Sequence, residues 1–91
     1  MSSVPENIEA LKITSAEFLL TDLDVAWTFM DVAETSGIEE TVVRNHQNAR
    51  KAYDTVLDFL SKLTLTASDR NAVEEKLAVL KTRLENAGQL F

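Results

Sequence analysis

Residues 14–35 read TSAEFLLTDLDVAWTFMDVAET, and this stretch predicts one long helix that is apolar around most of its circumference. At 100° per residue, its regularly spaced polar side chains fall on one narrow stripe. The members of this polar stripe are Glu17, Thr21, Asp24, Thr28, Asp31 and Thr35, and its three acids, Glu17, Asp24 and Asp31, form the acidic stripe. A surface helix needs an apolar arc of only about 100°, whereas this one has about 240°. We therefore expect the helix to be buried against two or more other elements.

Local signals mark both ends of this first helix. Thr14 and Glu17 have the spacing of a capping box, which predicts the N-terminus of a helix. Gly37 is expected to end the helix as a left-handed C′ residue, with Ile38 making the apolar contact of a Schellman motif. The signals together predict a helix over 15–35.

Two further helices are predicted, over 38–62 and 67–87. The apolar face of the second helix has ordinary width and consists of Ile38, Val42, Ala49, Ala52, Tyr53, Val56, Leu57, Phe59, Leu60 and Leu63. The third helix has a narrow seam of nearly heptad spacing, formed by Val73, Leu77, Leu80, Leu84 and Ala87. Thr66 and Asp69 repeat the cap spacing, and Gly88 is expected to end the third helix.

Short connections make consecutive helices antiparallel neighbours, so the sequence predicts an all-α, three-helix antiparallel up-down-up bundle. Residues 1–13 are predicted to be an N-terminal arm or a short helix, and residues 14–91 a single helical domain. The first helix is apolar on two sides and the others on one. We therefore expect the first helix to lie in the groove between the other two.

The first helix has more apolar surface than two neighbouring helices can cover, and the surplus lies at its two edges. The candidate interface residues are Leu20 and Trp27 on one edge and Val25 and Val32 on the other. Exposed apolar patches mark interaction sites, and a symmetric homodimer is the simplest way to cover this one. A homodimer is therefore predicted. The alternative is that residues 1–13 cover one edge through Ile8 and Leu11.

One spacing in the second helix resembles a known family. Ala49, Tyr53 and Val56 follow the i, i+4, i+7 small–aromatic–small pattern of the second helix of a tetratricopeptide repeat. With the Gly-containing turn before them, residues 19–63 resemble a single tetratricopeptide-like helical hairpin, to which a third helix is added. The resemblance implies a protein-binding scaffold. Because such a repeat buries its face on neighbours, it also implies self-association or a partner.

The sequence contains none of the common catalytic motifs. The 91 residues include no Cys and one His, and they contain no HExxH motif, nucleophile elbow or Gly-rich phosphate loop. Asp24 and Asp31 are two helical turns apart, about 10 Å, which is too far to chelate one ion. We therefore expect no enzyme, no metal and no cofactor. Nothing resembles a signal peptide or a membrane span, and we expect a cytoplasmic protein.

Charge is distributed unevenly along the chain. The net charge is −6, and residues 1–35 alone have seven acids and one base. This acidity disfavours nonspecific nucleic-acid binding, which needs a basic face.

The stretch 41–53, TVVRNHQNARKAY, contains no acid in this acidic protein. Its candidate residues for binding a partner or an anion are Arg44, His46, Arg50 and Lys51, because guanidinium, ammonium and imidazole groups bind phosphates and carboxylates. Three readings are open: pairing with the acidic stripe in the same or a partner chain, contact with a protein partner, and nucleic-acid binding.

Asn45 lies on the apolar face, where a buried amide can fix register or oligomeric state.

The sequence identifies no activity. It favours a small soluble helical protein that serves as a protein–protein interaction or structural module and self-associates. The alternative is a nucleic-acid or anion-binding accessory protein that uses the Arg44–Lys51 stretch.

Overall fold

The computed structural model describes residues 14–91 and shows an all-α, three-helix antiparallel up-down-up bundle. Its helices are α1 (Ser15–Thr35), α2 (Glu39–Lys62) and α3 (Ala67–Asn86). The helix bounds agree with the prediction to within one residue, and residues 14–91 contain no strand. The predicted N-terminal arm, with Ile8 and Leu11, lies outside the described residues.

Two helices begin at the predicted caps. Thr14 Oγ1 accepts a hydrogen bond from the Glu17 amide at 3.1 Å, and Thr66 Oγ1 accepts one from the Asp69 amide at 3.1 Å. Each bond satisfies an amide that has no partner within the first helical turn. The two local sequence signals therefore place the starts of α1 and α3 correctly.

The prediction for Gly37 is wrong. The chain leaves α1 through Ser36 in an extended conformation, with φ −83° and ψ 137°. Gly88 is the one described residue with positive φ, so Gly37 does not adopt the left-handed conformation. The Ser36 hydroxyl instead accepts a hydrogen bond from the Ile38 amide at 3.1 Å. Ile38 is the N-cap of α2 and is 64% exposed, so it makes no buried Schellman contact.

The prediction for Gly88 is confirmed. With φ 96°, it allows the Gln89 amide to bond the Leu84 carbonyl at 2.9 Å, while its own amide bonds Glu85 at 3.0 Å. This pair of bonds is a Schellman motif, which turns the chain back after α3. Phe91 then packs edge-on against Tyr53 of α2, with the ring centroids 5.1 Å apart.

The core is one apolar cluster to which all three helices contribute. Its members are Leu19, Leu23, Ala26, Met30, Ala49, Tyr53, Val56, Leu60, Val73, Leu77, Leu80 and Leu84. As predicted, α1 is the central element: it contacts α2 and α3 more extensively than they contact each other. None of the three helices is long and apolar enough to cross a membrane.

The second helix buries a narrower face than predicted. Ala49, Tyr53 and Val56, which carry the tetratricopeptide-like spacing, are buried. Leu57 and Phe59 are 47% and 40% exposed, because they lie at the edges of the apolar face. In α3, the predicted seam residue Ala87 is likewise exposed, beyond the last helical turn.

Candidate functional site

One row of apolar side chains on α1 is exposed to solvent. Phe18, Val25 and Val32 have exposed fractions of 52%, 45% and 40%, and we call these three residues the outer seam. Successive members are seven residues apart, so they lie two helical turns from each other on one side of α1. The whole row is about 21 Å long. The Val25 and Val32 edge predicted to be in surplus is therefore uncovered within residues 14–91.

The outer seam continues onto α2 at one end of the bundle. Phe59 is 40% exposed, and it lines a surface pocket of about 260 Å³ together with Phe18, Ser15 and Leu63. Further along the same α1–α2 groove, Asp22 and Lys51 line a second shallow pocket with Phe29, Asn48, Ala52 and Thr55. The apolar row is therefore the centre of a broader surface to which two helices contribute.

The opposite edge of α1 is covered by α3. Leu20 and Trp27 are half-buried and pack against the core cluster. The Trp27 ring lies beside two cations of α3: Lys76 Nζ is 5.6 Å and the Arg83 guanidinium 5.7 Å from its centroid. Cations at this distance are attracted to the face of an indole ring. These two candidate interface residues thus already have an intramolecular partner.

Ion pairs between α1 and α3 lie along this covered edge. Lys76 pairs with Asp24, and Arg83 pairs with Asp31 at 2.9 Å and with Glu34 at 2.8 Å. The hydrogen bonds to Glu34 and then Asp31 raise the pKa of Arg83 above its ordinary value. Asp24 and Asp31 are seven residues apart on α1, and Lys76 and Arg83 are seven residues apart on α3. Because α1 and α3 run parallel, each base lies opposite its acid. We call these contacts the α1–α3 ion-pair ladder.

The ladder narrows the first open reading of the basic stretch, which pairs it with the acidic stripe of the same or a partner chain. Asp24 and Asp31 pair with α3, so their pairing with residues 41–53 of the same chain is wrong. The sequence contained a signal for the ladder in the shared spacing of seven residues. That signal could be recognised only once the two helices were known to be parallel neighbours.

The four candidate residues of the basic stretch do not form one site. At 100° per residue, Arg44 and Lys51 lie on one side of α2, and His46 and Arg50 lie on the other. Arg44 and Lys51 are exposed and form no ion pair within residues 14–91. His46 is half-buried and lines a pocket of about 260 Å³ with Glu34 and Arg83.

Arg50 is used within the chain. Its Nε pairs with Asp54 at 3.2 Å, and its guanidinium lies 3.9 Å from the centroid of the Phe91 ring. The same guanidinium donates a hydrogen bond to the Leu90 carbonyl. Arg50 therefore holds the segment after α3 against α2, a contact that sequence reasoning missed because it joins residues distant in the chain.

Asn45 and Trp27 are the remaining polar side chains of note within residues 14–91. Asn45 Nδ2 donates to the Thr41 carbonyl at 2.8 Å, so its amide has a partner within its own helix. Within residues 14–91, no three His, Asp or Glu side chains lie close enough together to hold a metal ion. The Trp27 indole N–H is buried and finds no acceptor in the same part of the chain.

The chain matches no protein-family model, no curated protein and no solved structure. Its function must therefore be argued from the surfaces described above.

Proposed function

We propose that the protein is a small helical protein–protein interaction module that self-associates through the outer seam. The observation that carries the proposal is the row of Phe18, Val25 and Val32, which are 52%, 45% and 40% exposed. Single exposed apolar residues are normal in a folded protein. A row of them along one side of a helix, bordered by polar residues, is the kind of surface at which proteins interact.

A second copy of the chain suits this surface. Seven-residue spacing on one side of a helix is the pattern that lets two helices pack along a common seam. A two-fold axis uses the same patch on both copies, so the row needs only to complement itself. The tetratricopeptide-like spacing of residues 19–63 agrees with this proposal, since it implies a helical hairpin that packs on a neighbour.

The structure gives less support to nucleic-acid or anion binding by residues 41–53. Arg44 and Lys51 are the exposed cations of this stretch, and they are two helical turns apart, about 10 Å. Arg50 is engaged by Asp54, Leu90 and Phe91. Two separated cations on a chain of net charge −6 are a poor match for a polyanion.

Sedimentation equilibrium of the full chain tests the proposal. We expect a dimer at about 100 μM, where an association with a dissociation constant near 1 μM is almost complete. Val25→Glu should give a monomer, because it places a charge at the centre of the outer seam. Val79→Glu is the matched control, since Val79 is 46% exposed but lies on α3.

A monomeric wild type under these conditions refutes self-association. It would favour the alternative in which residues 1–13 cover the edge through Ile8 and Leu11. A dimer that Val25→Glu leaves intact would move the interface away from the outer seam.

A further inference from the structure

We infer that two copies pair with antiparallel α1 helices that cross at Val25, so that Asp22 of each copy faces Lys51 of the other. The inference rests on the self-association proposed above and specifies its geometry. It follows from the sizes of the seam residues and from two charges beside them that have no ion-pair partner within residues 14–91.

The sizes of the side chains favour the antiparallel arrangement. The outer seam has a large ring at one end, Phe18, and a small side chain at the other, Val32, with Val25 midway between them. An antiparallel pair places each Phe18 against the partner's Val32, which balances the volume along the seam. A parallel pair would put two Phe rings together at one end and two Val side chains at the other. That arrangement would leave a gap, whereas protein interfaces pack densely.

Asp22 also disfavours the parallel arrangement. It lies on the α2 side of the seam between Phe18 and Val25, and it is half-buried. In a parallel pair the two-fold axis runs along the seam and puts the two α2 helices on opposite sides of it, so that Asp22 of one copy would lie away from Lys51 of the other. Crossing at Val25 in the antiparallel sense separates the two Asp22 carboxylates by about 9 Å along the helix axis.

The antiparallel arrangement gives each Asp22 a partner. Reversal about Val25 brings Asp22 of one copy to the level of Thr28 on the other, one residue before Phe29. Phe29, Lys51 and the chain's own Asp22 line one pocket between α1 and α2, so the exposed Lys51 ammonium lies close to the level at which the partner's Asp22 arrives. The two-fold axis generates two such Asp22–Lys51 pairs, one on either side of the Val25 crossing. The partner is thus selected by charge as well as by apolar contact.

Disulfide cross-linking tests the orientation, because the chain has no Cys of its own. Val25→Cys should give a disulfide-linked dimer, since residues at a two-fold axis meet in either orientation. Phe18→Cys alone should give none: two copies of position 18 would be about 21 Å apart, beyond the reach of a disulfide. An equal mixture of Phe18→Cys and Val32→Cys should give the mixed disulfide. Val79→Cys, on α3, is the control for random collision.

The outcomes separate this inference from the proposed function. A disulfide formed by Phe18→Cys alone, with the wild type dimeric, overturns the antiparallel geometry and leaves self-association standing. A wild-type monomer with no Val25→Cys disulfide overturns both.

Charge reversal tests the Asp22–Lys51 pairs independently. Asp22→Lys and Lys51→Glu each place two like-charged contacts in the homodimer, and each should weaken association about tenfold. In an equal mixture of the two variants every contact is attractive, so the heterodimer should form in preference to either homodimer. Equal affinities for the mixture and the single variants would overturn these pairs.

Discussion

At the residue scale, the two sides of α1 should differ sharply in what they contribute to stability. Leu23 and Met30 have exposed fractions of 0% and 1% and lie in the core cluster. Thr28 lies on the exposed polar stripe, and its hydroxyl donates to the Asp24 carbonyl at 3.2 Å. A truncation in the core leaves a cavity, whereas one on the stripe leaves only water.

We predict that Leu23→Ala and Met30→Ala each lower the free energy of unfolding by about 2–5 kcal/mol. Thr28→Ala should change it by less than about 0.5 kcal/mol. Chemical denaturation of the three variants measures both effects. If the core and stripe variants behaved alike, the assignment of the faces of α1 would be wrong.

The two glycines provide a second contrast between residues. Gly88 has φ 96°, which costs a residue with a side chain about 1 kcal/mol or more. Gly37 does not have positive φ, and a Cβ built there would meet nothing within 4 Å. We predict that Gly88→Ala destabilises the fold by about 1 kcal/mol. Gly37→Ala should be neutral or stabilise by up to about 1 kcal/mol, through the entropy of the unfolded chain. Thermal melts of both variants decide this, and equal destabilisation would contradict it.

At the scale of the helices, local chemistry explains which boundaries could be predicted. Thr14 and Thr66 each accept a hydrogen bond from the backbone amide three residues later. Such a cap depends only on residues within one helical turn, so the local sequence is enough to predict it. The predicted left-handed conformation of Gly37 was wrong because a glycine permits positive φ without requiring it. Its neighbour Ser36 offered the Ile38 amide another partner, and the chain stayed extended.

The ion-pair ladder between α1 and α3 should make a measurable but small contribution. Arg83 has a side chain 21% exposed, while its acidic partners Asp31 and Glu34 are 69% and 58% exposed. Solvent weakens such pairs to about 1 kcal/mol or less each. We predict that Arg83→Met lowers the free energy of unfolding by about 1 kcal/mol in low salt, and by less in high salt. Lys62→Met is the control, because Lys62 is 66% exposed and its one ion pair within residues 14–91 is with Asp58 of its own helix. Equal losses for the two variants would count against the ladder.

At the scale of the whole molecule, the sequence could predict the surplus of apolar surface on α1 but not which edge remains exposed. Both edges are similarly apolar, so composition does not distinguish Trp27 from Val25. The choice depends on the register of α1 against α3, which brings Lys76 and Arg83 beside Trp27. Contacts of this kind join residues about 50 positions apart, where local patterns contain no information about distance.

Self-association makes the stability of the whole molecule depend on its concentration. Because only folded chains associate through the outer seam, mass action favours the folded dimer as the protein concentration rises. We predict that the melting temperature of the wild type increases between about 1 and 100 μM, from a concentration near the expected micromolar dissociation constant to one far above it. The melting temperature of Val25→Glu should stay constant over the same range. A wild-type melting temperature independent of concentration would argue against the dimer.

Trp27, the sole tryptophan, gives the molecule a built-in optical reporter. Its half-buried indole ring packs between α1 and α3 with a buried N–H, on the opposite edge of α1 from the outer seam. Indole fluorescence shifts to longer wavelength when the ring enters water, so the emission should respond when α3 separates from α1. Dissociation of two folded copies leaves that environment unchanged. The emission spectrum should therefore hold steady on dilution and shift only on denaturation, which distinguishes unfolding from dissociation in a single cuvette.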